Sequence, residues 1–286
     1  MICNVCPRRC NVERNRQAGF CAQKNIKISK VMFHKYEEPL ISGKAKSVGS
    51  GAIFFAGCNL RCVFCQNYTI SHGGKGKKIS TKGLVSIIKK LEKNGALNIN
   101  LVTPSHFTNE IIEALKIYKP RIPIVWNSNG YETQESIEKL KDYIDVYLVD
   151  LKYMDNSLAL KYSGAANYVE NATASIKQMR ENQPKDVIEN GLMKKGVIIR
   201  HLILPTHTQD SIKSLDWINA NLGSNTIVSL MSQYNPMYDA SKHAEINRKI
   251  TPLEYKRVIN HAIKLNMMKC FTQDLSSATD IYTPKF

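Results

Sequence analysis

Six short apolar runs, each followed by a segment with a single apolar face, fill the chain from residue 50 onward, and this alternation restricts the fold more than any other feature. The runs cover residues 52–56, 99–103, 122–127, 146–152, 197–204 and 227–231. They are rich in β-branched and aromatic residues without strict alternation, the pattern of parallel strands buried on both faces. Between them, Leu84, Ile87, Ile88 and Leu91 share a helical face, as do Ile111, Ile112 and Leu115. Thr133 is placed to cap a helix carrying Ile137 and Leu140, and residues 210–221 carry Ile212, Leu215 and Ile218. Thr251-Pro252-Leu253-Glu254 has the form of a capping box with proline at the first helical position. Repeated βα units make an α/β fold, either an open doubly wound sheet or part of a barrel. In both, ligands gather at the carboxyl ends of the strands. Residues 72–78 and 182–196, polar and glycine-bearing, read as loops.

Seven of the eight cysteines fall within the first 65 residues, as Cys3, Cys6, Cys10 and Cys21, then Cys58, Cys62 and Cys65. Cys270 stands alone and reads as a small buried hydrophobe. No apolar run approaches the roughly 18 residues of a membrane span. The amino terminus lacks the apolar stretch of a secretory signal, so the expectation is a cytoplasmic protein without membrane association. In a reducing compartment, clustered thiols bind metal or do redox chemistry more often than they form disulfides. Charge is uneven as well: the first 100 residues hold 18 Lys and Arg against 4 Asp and Glu, the remainder 22 against 20. Such a basic segment suits a nucleic-acid surface, a docking face for an acidic protein or anionic substrate, or compensation for anionic metal-thiolate centres. Among its aromatics, Phe33, Tyr36, Phe54, Phe55, Phe64 and Tyr68 show no stacking-module pattern that would favour nucleic acid.

The most informative stretch is Cys58-Asn-Leu-Arg-Cys62-Val-Phe-Cys65, directly after the first apolar run. Three thiolates on a short loop can ligate three irons of a cubane cluster and leave the fourth without a protein ligand. An open metal position can bind a small molecule and do chemistry. The competing reading is a zinc site completed by a distant residue such as His72 or His106. In its spacing, with Phe64 in the aromatic slot, the loop resembles that of the radical S-adenosylmethionine (radical SAM) superfamily. The resemblance implies a 4Fe–4S cluster at Cys58, Cys62 and Cys65 whose open iron chelates S-adenosylmethionine, and reductive cleavage to a 5'-deoxyadenosyl radical that abstracts a hydrogen atom. It further implies a partial (β/α)6 TIM-type barrel.

Val149-Asp150-Leu151-Lys152 looks like the Asp-Leu-Lys strand of pyruvate formate-lyase activating enzyme and similar glycyl-radical activases. Trp126-Asn127-Ser128-Asn129-Gly130 is similar to their Asp-Thr-Asn-Gly segment, and Ile199-Arg200-His201-Leu202 to their fifth-strand arginine segment. By that likeness Phe64, Asn127, Ser128, Asn129, Asp150, Lys152 and Arg200 would hold the cofactor. Asn127 stands where those activases place an aspartate that, with the counterpart of Asp150, helps hold a monovalent cation. Lys152 and Arg200 suit an anionic cofactor carboxylate or an internal ion pair. With the amino-terminal cysteines added, most of the chain resembles the pyruvate formate-lyase activating enzyme-like iron–sulfur proteins.

Cys3, Cys6, Cys10 and Cys21 read as a closed four-thiolate site, either an auxiliary 4Fe–4S cluster or zinc. The chain therefore divides into a cysteine-rich metal-binding extension, residues 1–48, and a radical SAM barrel, residues 49–286. The expected partners are an electron donor such as flavodoxin or ferredoxin and a protein or peptide substrate, a glycine Cα–H in a partner enzyme among the candidates. The rivals are radical modification of a small molecule or nucleic acid, and a non-enzymatic zinc or iron–sulfur protein that binds nucleic acid. His106, Ser232, Gln233, Tyr234, Gln273 and Asp274 have only their positions to suggest that they face a substrate.

Overall fold

The apolar runs become neighbouring strands of one sheet. In this computed structural model residues 2–44 and 46–279 are described; residues 1, 45 and 280–286 of the two-part division lie outside the described residues. The strands are β1 (Lys27–His34), β2 (Ser50–Phe55), β3 (Lys77–Lys78), β4 (Ile99–Val102), β5 (Ile124–Ser128), β6 (Val146–Asp150), β7 (Val187–Glu189), β8 (Leu192–Leu202), β9 (Ile227–Met231) and β10 (Cys270–Thr272). The helices are α1 (Pro39–Ser42), α2 (Tyr68–Ser71), α3 (Thr81–Lys93), α4 (Thr108–Ile117), α5 (Gln134–Glu138), α6 (Asn156–Ser163), α7 (Tyr168–Asn182), α8 (Thr208–Leu222) and α9 (Pro252–Lys264).

The sheet runs β10-β9-β8-β6-β5-β4-β2-β1-β3, with β7 paired to β8. From β2 to β10 all neighbours are parallel. Because these strands follow chain order without reversal, the sheet lacks the switch point of a doubly wound fold. The architecture is the partial barrel. The capping box predicted at Thr251 is present at α9, and Thr133 caps α5 through the backbone N–H of Ser136.

Two corrections follow from pairing. Residues 182–196 are not a loop throughout: β7 and β8 form an antiparallel hairpin across Asn190 and Gly191, whose φ angles are 52° and 77°. An Asn-Gly pair at positive φ is the residue choice a two-residue hairpin turn demands. Within residues 72–78, Lys77 and Lys78 pair with Ile28 and Lys27 of β1, which itself runs antiparallel to β2 at the edge of the barrel. Cys270 is half-buried on β10.

The two faces of the sheet do different work. Trp126, Tyr147, Val149, Val197, Ile199 and Val228 join the large core beneath the helices. Their neighbours Val125, Val146, Leu148, Ile198 and Ile227 point the other way, into the barrel, where they surround Ile41 of α1. Ile41 is fully buried, and its carbonyl accepts a hydrogen bond from Asn98 Nδ2 at 2.7 Å. The segment after β1 thus fills one end of the barrel interior. Toward the carboxyl ends of the same strands the inner face turns polar, with Asn127, Asp150, Arg200 and Ser229.

Beside Arg200, His201 is buried, with Nδ1 2.6 Å from the carbonyl of Leu151 and Nε2 2.9 Å from Ser211 Oγ. The neutral ring donates through Nδ1 and accepts at Nε2. Burial lowers its pKa from 6.5 to about 4. A histidine whose folded pKa is depressed stabilises the fold fully above its unfolded pKa and loses that contribution as pH falls through the folded value. The chain should lose about 3 kcal/mol between pH 6.5 and 4 through this ring alone. Urea titrations across that range check it; a slope in His201→Gln equal to the wild type's would show the acid sensitivity to lie elsewhere.

Candidate active site

The residues singled out at the strand ends and on the three-cysteine loop line a single cavity of about 260 Å³. They are Cys58, Cys62, Phe64, Cys65, Asn127, Ser128, Asn129, Asp150, Lys152 and Arg200. The loop owes its course to fixed anchors. Gly57 has a φ of 84°, and a Cβ there would stand 2.4 Å from the carbonyl oxygen of Cys21, so only glycine allows that approach. Asn59 is buried and donates to the carbonyl of Tyr131 at 2.6 Å, while its Oδ1 accepts from Asn129 Nδ2 at 2.8 Å. Arg61 and Val63 donate their backbone N–H groups to the carbonyls of Ser163 and Tyr162 at the end of α6.

Each of the three thiols has a polar side-chain partner. Asn129 Nδ2 lies 3.4 Å from Cys58 Sγ, Ser163 Oγ 3.0 Å from Cys62 Sγ, and Ser71 Oγ 3.2 Å from Cys65 Sγ. Ser163 is held in turn by the Tyr153 hydroxyl at 2.8 Å. Burial, reinforced by Cys62, pushes the Cys58 thiol up to about 12 and the Cys65 thiol up to about 11. Bare, these thiols stay protonated at neutral pH; a bound metal supplies the positive charge that deprotonates them. Among the described residues no three His, Cys, Asp or Glu side chains converge as a single metal ion requires. A cubane takes each cysteine on a different iron. Three polarised sulfurs around one cavity fit such a cluster.

Below the cysteines lies a charged network. Arg200 Nε bonds Asp150 Oδ1 at 2.8 Å, Nη2 bonds Asn127 Oδ1 at 2.7 Å, and Nη1 bonds Glu37 Oε1 at 2.8 Å. Lys152 Nζ reaches Asp150 Oδ2 at 2.8 Å. The far oxygen of Glu37 accepts from Asn127 Nδ2 at 2.8 Å and Asn100 Nδ2 at 3.1 Å. Burial alone would raise the Asp150 carboxyl, but Arg200 and Lys152 outweigh it and hold it below the usual range. Burial likewise works against the charges of Arg200 and Lys152, and Asp150 raises both. Both cations are thus engaged with Asp150, and the Arg200 guanidinium spans Asp150 and Asn127, the positions whose counterparts help hold a monovalent cation in the activases.

The remaining candidates separate cleanly. Gln233 and Tyr234 line the cavity, and Tyr234 meets Phe64 edge to face with ring centroids 5.6 Å apart. Ser232 bonds the carbonyls of Gln273 and Asp274, and these three do not line it. His106 is buried with Nε2 on the carbonyl of Ala56 at 2.7 Å, a structural position away from the cavity. Glu37 and Ser163 were not anticipated. Glu37 carried one faint signal, as one of only 4 acidic residues among the first 100.

The amino-terminal cysteines lie against this loop. All four are free thiols, Cys6 and Cys21 buried. Phe20 N–H donates to Cys10 Sγ at 3.3 Å, and the backbone N–H groups of Arg8 and Gln23 donate to Cys6 and Cys21.

The sequence profile of the Radical SAM superfamily matches residues 52–218. The chain belongs to the radical SAM superfamily. Radical SAM enzymes cleave S-adenosylmethionine at an iron–sulfur cluster. An uncharacterised protein of Methanocaldococcus jannaschii is 35% identical over 278 residues, covering 93% of this chain and 75% of that one. The 7-carboxy-7-deazaguanine synthase of the same organism is 27% identical over 151 residues, 49% of this chain and 62% of that one. Among solved structures, Streptococcus suis SuiB bound to its precursor peptide SuiA aligns with a TM-score of 0.51 at 16% identity, over 76% of this radical SAM chain and 47% of SuiB. Methylornithine synthase aligns with a TM-score of 0.52 at 14% identity, over 76% of this chain and 61% of that one. The chain thus spans about half the length of SuiB, and at these identities the likeness concerns the fold. No helix of the described residues is long and apolar enough to cross a membrane.

Proposed function

We propose that this radical SAM enzyme binds a 4Fe–4S cluster through Cys58, Cys62 and Cys65 and acts on a protein or peptide substrate, a glycine Cα–H in a partner enzyme being one fitting target. The observation that carries this reading is the meeting of those three thiols with the polar strand ends around one cavity. The cluster and S-adenosylmethionine, when bound, supply the electron and the 5'-deoxyadenosyl radical. The chain would supply position and shelter: Phe64 would hold the adenine, Asn127, Ser128 and Asn129 at the end of β5 would offer polar contacts to the cofactor, and Lys152 and Arg200 with Asp150 would hold its zwitterionic methionyl group. Residues 1–48 form a metal-binding extension on the barrel of 49–286, although β1 and α1 build part of the barrel itself. The basic first 100 residues support docking of an acidic protein surface, and a flavodoxin or ferredoxin would supply electrons.

Anaerobic reconstitution, reduction and assay for 5'-deoxyadenosine tests the reading. A loaded, reduced protein that leaves S-adenosylmethionine intact rejects it. Modification of a small molecule is a second reading, supported by the likeness to 7-carboxy-7-deazaguanine synthase over half the chain. Transfer of deuterium from labelled peptides or small molecules into 5'-deoxyadenosine separates the two.

The hydroxyl of Ser163 should tune the reduction potential, since a hydrogen bond to a ligand sulfur stabilises the reduced, more negative cluster. Ser163→Ala should lower the potential by the worth of one hydrogen bond, about 1 kcal/mol, and Ser163→Thr should restore it. Potentiometric titration followed by electron paramagnetic resonance reads the shift, and an unmoved midpoint would remove Ser163 from the account.

A further inference from the structure

Cys3, Cys6, Cys10 and Cys21 lie on one short extension, close enough for Cys3, Cys10 and Cys21 to act electrostatically on Cys6, although no three of them converge on a point that a single metal ion could occupy, and the backbone donates to three of the four sulfurs. Two buried donors beside them lack acceptors. Arg8 Nη2 and Arg14 Nη2 are both enclosed without a hydrogen-bond partner, although their sister nitrogens are engaged. Leaving a charged donor buried and unpaired is costly. An anionic metal-thiolate group beside these arginines would offset that cost.

The extension is also joined to the cavity loop at residues flanking the cysteines of both groups. Arg8, two residues after Cys6, donates from Nε to the carbonyl of Asn59 at 2.8 Å, and Asn59 follows Cys58 directly. The same guanidinium lies over the Phe20 ring at 3.7 Å. Phe20 precedes Cys21, and its carbonyl accepts from Arg61 Nη2 at 2.6 Å. The carbonyl of Cys21 lies against Gly57, the residue before Cys58. The two cysteine groups are thus joined through a short run of covalent and hydrogen bonds, from Cys6 through Arg8 and Asn59 to Cys58.

We propose that the four amino-terminal cysteines bind a second, fully ligated iron–sulfur cluster, and that it passes single electrons to the cavity cluster through the contact of Cys6-Pro7-Arg8 with Asn59-Cys58. A low-potential one-electron carrier of the flavodoxin or ferredoxin class reduces the amino-terminal cluster by one electron. That cluster is reoxidised as the cavity cluster is reduced, and no bond is made or broken and no proton moves in the transfer. The inference rests on the reading of Cys58, Cys62 and Cys65 as cluster ligands.

The test compares anaerobically reconstituted full-length wild type with Cys6→Ser/Cys10→Ser and with Arg8→Met. Wild type should hold about eight irons per chain and the double variant about four, those of the cavity cluster. The double variant should keep the resonance signal that S-adenosylmethionine perturbs, and dithionite should still reduce it. Flavodoxin should reduce its cavity cluster at about a tenth of the wild-type rate or less. Arg8→Met should keep both clusters and lose rate only with flavodoxin, which guards against a double variant that fails to fold. One zinc per chain at the extension, or equal flavodoxin rates in all three proteins, overturns the inference. A wild type with an iron–sulfur signal abolished by Cys6→Ser/Cys10→Ser but no response to S-adenosylmethionine would instead reject the reading of the cavity.

Discussion

Cys62→Ala should abolish formation of 5'-deoxyadenosine, with a loss of about 10³-fold or more, while the protein stays folded. Cys62 is only half-buried, so its removal leaves a small packing defect. Its sulfur is nonetheless one of three facing the cavity, and Ser163 is spent on it at 3.0 Å. The visible absorbance of the reconstituted cavity cluster should fall with the activity, and the urea midpoint should stay near that of the wild type. Retained cluster and retained turnover in this variant would mean that the loop does not hold the reactive metal.

Arg200→Met should show the second large effect, this time on stability and binding together. Arg200 satisfies Asp150, Asn127 and Glu37 at once, and all three contacts lie inside the barrel. Taking away the cation leaves the carboxylates of Asp150 and Glu37, with Glu38 also nearby, and only the ammonium of Lys152 on Asp150. Breaking a buried pair in this way costs about 3–5 kcal/mol. Denaturant unfolding should register that loss, and calorimetry should register weakened binding of S-adenosylmethionine. Glu37→Gln, which keeps a side-chain oxygen for the guanidinium, should cost clearly less. Equal losses in the two variants would show that charge balance at Glu37 matters as much as the arginine itself.

What could be read from the sequence was what depends on neighbours along the chain. Cys58, Cys62 and Cys65 declare themselves by spacing, and Asn127, Asp150 and Arg200 by the likeness of their segments to those of glycyl-radical activases, while the strand register then brings them side by side. Glu37 could not be read this way, because its partner Arg200 lies 163 residues further on and only the closed barrel joins them. Ser163 ends a helix with no local mark of its role. The β7–β8 hairpin was missed although Asn190-Gly191 announces it, because the polar residues around that pair resemble a loop. Strand β1 escaped notice because its residues are unevenly half-buried and it lies antiparallel at the edge of the sheet.

The filling of one barrel end by α1 bears on how the chain reaches its native state. Ile41 and Glu37 emerge early in synthesis, yet the strands that enclose them, β5 through β9, are made long afterwards. Contacts of such wide sequence separation slow folding, because loop-closure entropy is lost before the contact forms. The early segment must therefore wait, with the apolar Ile41 and the carboxylate of Glu37 both exposed, until the later strands wrap around it. A variant with residues 27–48 transposed to follow β10 would bring Ile41 and Glu37 nearer in sequence to β8 and β9, and the resulting change in refolding rate would measure how far assembly of the barrel is paced by its innermost piece.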